Sequence, residues 1–159
     1  MKKKIILTSV LFCINIFALE CNEASFDKGN AEMKQIYSLY NMTTGTPKEQ
    51  KEMSKSVISK IDYEKQMIVL KNKLVSLAKK KSYLSKANIM NNKNIKTWKS
   101  LTKSCKDNYL LAVQKALKNA KKMQKTIKQR EKSIQIFINQ TEIVIDVGKK
   151  KYNPKNIKD

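Results

Sequence analysis

The side chains with chemistry to offer are few, and what is missing decides more than what is present. The 159-residue chain has no histidine, which removes the commonest general acid/base and the commonest metal ligand together. Asp62 with Glu64, and Glu131 with Glu142, come nearest to an acid/base pair, but neither spacing makes two acids neighbours on one helix face. These residues read as surface charge, and the chain as a non-enzyme with no cofactor and no metal site. What remains is cationic: Lys and Arg total 34 against 13 acids, a net +21, and Arg130 is the single arginine. Lysine is a hydrated point charge, whereas arginine supplies the planar fork that reads phosphate or guanine. Such a surface attracts polyanions without reading them. The runs Lys79–Lys81, Lys121–Lys122 and Lys149–Lys151 have no interleaved aromatic residues to stack bases, so sequence-specific nucleic-acid binding is not expected.

The cysteines take their meaning from the first residues. Lys2, Lys3 and Lys4 precede an apolar run from Ile5 to Ala18, the pattern of a cleavable export signal, too short for the roughly 20 residues of a membrane span. Cleavage after Ala18 predicts a periplasmic or secreted protein, removes three lysines and leaves +18. Cys13 leaves with the signal, and Cys21 and Cys105 remain. In an oxidising compartment two cysteines most simply pair with each other. An intermolecular bridge and a redox pair are the alternatives, the latter disfavoured without a Cys-x-x-Cys spacing.

The elements that must carry these groups are helical. Three glycines and two prolines are too few for a sandwich or barrel. Apolar residues from Trp98 to Ile138 recur at about 3.6 residues, including Cys105, Ala112, Ala116 and Ala120, the period of one long amphipathic helix. Thr46-Pro47-Lys48-Glu49 is a capping box with proline at the first helical position, so a second helix is predicted from Pro47 to about Met90. Asn91, Asn92, Lys93 and Asn94 form the expected short connection, which favours antiparallel neighbours and puts Leu84 near Trp98 or Leu101 and Leu77 near Cys105. A short helix from Asn30 to Met42, capped by Asn30, follows an extended Cys21–Gly29. The fold class is therefore all-α: an elongated antiparallel hairpin of two long helices with a short N-terminal third helix. Ile143, Ile145 and Val147 alternate before Gly148, leaving residues 141–147 open between a helix ending on a glycine cap and a short C-terminal strand. The organisation is a signal over 1–18, a helical domain over 19–148 and a basic flexible tail over 149–159.

The segment Glu142-Ile-Val-Ile-Asp-Val147, followed by Tyr152 and Ile157-Lys-Asp159, resembles the C-terminal strand pair of the Skp/OmpH periplasmic chaperones. The signal, the size, the basic surface and the helical hairpin are similar to that family as well. The resemblance implies helical arms that hold unfolded outer-membrane proteins above a trimeric base of strands. The absence of a strand after the signal and the Cys21 and Cys105 pair lie outside the family pattern.

The functional expectation is an exported, non-catalytic binding protein, chaperone-like or a scaffold, whose cationic surface holds acidic or unfolded protein partners. A polyanion or a membrane surface is a further partner class, and self-association is open. The alternative is a structural or assembly component of an envelope, secretion or cell-surface complex. The candidate binding surface is the lower end of the long helix: Met123, Ile127, Ile134 and Ile138 with Lys121 and Lys122.

Overall fold

The computed structural model describes residues 19–45 and 63–152. The expected export signal, the capping box at Thr46–Glu49 and the end of the expected basic tail lie outside the described residues. The described residues form three helices: α1, Glu23–Asn41; α2, Tyr63–Ser104; and α3, Asp107–Tyr152. The two long ones, of 42 and 46 residues, pack side by side as an antiparallel hairpin. At 1.5 Å per residue each arm is about 60–70 Å long. α1 lies mainly against α2.

α1 begins earlier than its periodicity suggests. Asn22, not Asn30, is the N-cap, its side chain accepting from the Ser25 amide at 3.0 Å, and Glu23 sits in the first turn. That arrangement satisfies an orphan amide and suits the positive end of the helix dipole. The segment expected to be extended is thus helical from Glu23 on, including Gly29. The glycine is there for contact: a Cβ on Gly29 would fall 2.7 Å from Trp98 Cη2 and 3.0 Å from Trp98 Cε2. Only a residue without a side chain lets α1 come down onto that indole.

The hairpin turn is not at Asn91–Asn94. α2 continues through these residues to Ser104, and the chain reverses at Cys105 and Lys106, with Asp107 at φ 51° opening α3. The expected single helix from Trp98 to Ile138 is therefore broken at Cys105. Asn91 and Asn94 are fully buried. They read as a connection because they are polar, yet counting them as interior makes the buried ladder Leu84, Ala87, Asn91, Asn94, Trp98, Leu101 and Cys105 unbroken in steps of three and four. Buried amides are tolerated when hydrogen-bonded: both NH2 groups donate and the Asn94 oxygen accepts, whereas Asn91 Oδ1 is buried without a partner.

The register follows from the turn. Lys81 Nζ donates to Gln135 Oε1 at 2.8 Å, and Gln124 bridges Asn88 and Asn91. Leu84 and Leu77 share a cluster with Met123, Ile127 and Ile134, not with Trp98, Leu101 and Cys105. Those three pack instead with Val113 and Ala120 near the turn. Of the expected alanine stripe Ala120 is buried, Ala116 half-buried and Ala112 exposed, Val113 filling the inward position. At the far end Met67, Leu70 and Ile145 form a third cluster with Tyr63, Leu74 and Val144.

Residues 141–147 are helical, and α3 passes through Gly148 to Tyr152. The alternation of isoleucine and valine is real but has no strand to pair with among the described residues. A lone strand would leave its backbone groups unsatisfied, whereas a helix turns Thr141, Ile145 and Gly148 inward onto α2. The first residues of the expected tail, 149–152, belong to this helix.

Candidate functional site

The apolar half of the expected binding surface is interior. Met123 is 5%, Ile127 0% and Ile134 2% exposed, and Ile138 is partly buried against the same cluster. The partner that covers them is the middle of α2 together with Ile36, Leu39 and Tyr40 of α1. Sequence periodicity finds such a stripe but cannot say which neighbour takes it. Lys121 and Lys122, by contrast, are exposed.

They belong to a larger feature. Between Asn108 and Lys128, α3 carries six lysines, at 115, 118, 121, 122, 125 and 128, and no acid. All six are exposed. Gln114, Leu117, Lys118, Asn119, Lys121, Lys122 and Lys125 line an open groove of about 580 Å³ along this helix. A helix holds these charges at fixed spacing over roughly 20 Å, so the field here is continuous and of one sign. α1 is different, with Glu23, Asp27 and Glu32 against Lys28 and Lys34. The cationic surface is thus a property of the hairpin, and along α3 it is concentrated in the first half.

The single arginine is not part of that face. Arg130 Nη2 donates to the Thr43 carbonyl at 2.8 Å, just beyond the end of α1, where the Thr43 hydroxyl donates to the Tyr40 carbonyl at 2.6 Å. A guanidinium suits this position because helix C-termini leave carbonyls unsatisfied and partly negative. One guanidinium nitrogen thus ties α3 to the end of α1, while Arg130 Nε is buried without a partner.

Cys21 and Cys105 are bonded to each other, with Cα atoms 5.1 Å apart. The bridge ties the start of α1 to the hairpin turn. Phe26 lies edge-on to Trp98 at 5.8 Å and to Tyr109 at 5.7 Å, and the Phe26 and Trp98 side chains share a cluster with both cysteines. Below it Asn94 makes the contact between helices: its amide donates to the Gly29 carbonyl at 2.9 Å and to Glu32 Oε2 at 3.1 Å, while its oxygen accepts from Trp98 Nε1 at 2.8 Å. Sequence reading missed this relay. The signal that could have found it was the three-and-four ladder through the asparagines.

Among the described residues no group of three or more His, Cys, Asp or Glu side chains could hold a metal ion, and no helix is long and apolar enough to cross a membrane. Comparison with protein-family models, with curated proteins and with solved structures returned no match.

Proposed function

We propose that this is an exported, non-catalytic helical binding protein that holds an acidic protein partner along the lysine-only half of α3. The observation that carries the reading is the row of six exposed lysines from Lys115 to Lys128 with no carboxylate among them. A flexible lysine surface binds by summed attraction, so the partner is chosen for its negative charge and not for a shape. Capture of an unfolded chain by an apolar surface is less well supported than attraction of an acidic one, because Met123, Ile127 and Ile134 are already covered. Export rests on the basic and apolar first residues, and the Cys21–Cys105 bridge is consistent with an oxidising compartment. The likeness to the Skp/OmpH chaperones then reduces to size, charge and hairpin, since the segment offered as a strand is helical as far as Tyr152.

The test is fluorescence anisotropy of a labelled acidic polypeptide such as polyglutamate, read at low and high salt. Binding is expected near 50 mM salt and to fall as screening shortens the reach of the charges to about 10 Å at 0.1 M. Replacing Lys118, Lys122 and Lys125 together by glutamine should weaken it about tenfold or more, as several additive surface attractions would. Equal binding by that variant sinks the proposal. Light scattering of an unfolded outer-membrane protein asks the chaperone question separately, and unchanged aggregation in the presence of this chain rules that version out. The scaffold reading draws on a different surface, the outer ridge of the second half of α3.

A further inference from the structure

α3 changes character at its middle. From Ser133 to Gly148 sixteen consecutive residues contain no lysine or arginine and two acids, Glu142 and Asp146, in a chain where about one residue in five is lysine. The same stretch exposes large apolar side chains: Ile136 is 55%, Ile143 62% and Val147 55% accessible. With exposed Gln140 they are spaced four, three and four residues apart, so they form one ridge. The inward residues Ile134, Thr141, Ile145 and Gly148 occupy the opposite face, so the ridge points away from α2.

α2 also exposes Ile68, Val75 and Ile89, but the positions that complete its outer row are Asn72, Lys79, Ser82 and Lys86. Two such rows would bring lysines together. The α3 ridge itself contains no lysine, so another cationic copy meets less repulsion there than along α2, with Lys132 and Lys150 only at its ends.

We infer that the ridge Ile136, Gln140, Ile143 and Val147 is the contact between two copies of this chain, paired antiparallel about a two-fold axis. In that arrangement Ile136 meets Val147 of the copy and Gln140 meets Ile143 of the copy, a self-complementary seam as a two-fold requires. Parallel pairing would lay the Lys115–Lys128 rows of two molecules alongside each other. Antiparallel pairing carries each row past the Tyr152 end of the other copy's α3 and leaves both free for ligand. The seam has only four positions per chain, which puts it among small, weak interfaces. Copies of net charge +18 repel, so screening favours association. Salt therefore has opposite effects on the two surfaces, weakening an acidic partner and strengthening the dimer.

Sedimentation equilibrium of the exported chain over roughly 10–500 µM, the range for a weak interface, tests this at 50 and 500 mM salt. A concentration-dependent dimer, tighter at high salt, is expected. Ile136→Gln and Ile143→Gln leave the charge unchanged and alter exposed positions, so circular dichroism should match the parent while dimerisation weakens at least tenfold. Val75→Gln on α2 should leave it unchanged. A spin label at exposed Gln129→Cys separates the orientations, since antiparallel pairing about the seam centre puts two labels about 37 Å apart along the axis and parallel pairing puts them side by side. A chain that is monomeric throughout, a Val75→Gln effect equal to that of the ridge variants, or a short label distance overturns the inference. So does loss of acidic-polypeptide binding by ridge variants whose sedimentation matches the parent, because the ridge would then serve another molecule. The sedimentation and label results do not bear on the lysine row, whose own test stands apart.

Discussion

At the scale of single residues, the position of α1 depends on two side chains and one missing one. Gly29 brings the helix backbone to the face of Trp98, and Asn94 joins the two by bonding the Gly29 carbonyl and the indole N–H at once. Gly29→Ala forces the helices apart, a cost of about 1–3 kcal/mol for overpacking against a gain of roughly 1 kcal/mol in helix propensity. Net destabilisation is expected in urea unfolding, with a red shift in the emission of Trp98, the only tryptophan. Asn94→Ala leaves the Trp98 N–H buried without an acceptor and should lower stability by about 1–3 kcal/mol. Adding Trp98→Phe removes the orphaned donor, so the double variant should lose less than the sum of the two single changes in the same assay. Asp107, at φ 51°, is in the left-handed region that aspartate and asparagine tolerate better than most side chains. It lets the chain reverse within two residues of the bridged Cys105.

At the scale of elements, two covalent or charged ties fix a short helix to a long hairpin. The disulfide joins the start of α1 to the turn across a sequence separation of 84, and Arg130 caps its far end at Thr43. Closing a loop of that length stabilises the fold by roughly 4 kcal/mol in the chain-entropy account. Cys21→Ser with Cys105→Ser should therefore lower the urea midpoint markedly, and tryptophan emission should show Trp98 becoming wetter before α2 and α3 separate. An unchanged midpoint would mean that burial alone holds α1. The outward face of α3 changes along its length, with six lysines from Lys115 to Lys128 and none from Ser133 to Gly148, while one continuous buried face runs beneath both parts from Val113 to Gly148. The inward face is set by packing on α2, which leaves the outward face free to differ from one end to the other.

At the scale of the whole molecule, an arm about 60–70 Å long with a core one helix pair thick has little interior in which to build a catalytic pocket. It has a long perimeter on which to display charge. Binding along a rod suits a polymeric or extended acidic partner, and pairing of rods through their lysine-free stretches would double the number of lysine rows offered to it. The opposed salt dependences of binding and pairing are the joint signature to look for.

The all-α class, the hairpin, the cysteine pairing and the excess of lysine were legible in the sequence because each depends on residue type and short spacing. A 3.6-residue period, few glycines and prolines, and two cysteines left after an export signal suffice for those conclusions. The turn, the register and the ownership of the apolar stripes were not legible. Asn91 and Asn94 look like a loop until the partners of their amides are known, and those partners, Ala120 and Gln124 for one and Gly29 and Glu32 for the other, are 29 to 65 residues away. The alternating Ile143, Ile145 and Val147 fit a strand locally, and only Met67 and Leu70 across the hairpin make the helix the better solution. The sequence by itself determined that the chain forms long helices, each with one apolar stripe to bury. The tertiary structure decided against what they are buried, because that choice depends on contacts distant in the chain that no local spacing encodes.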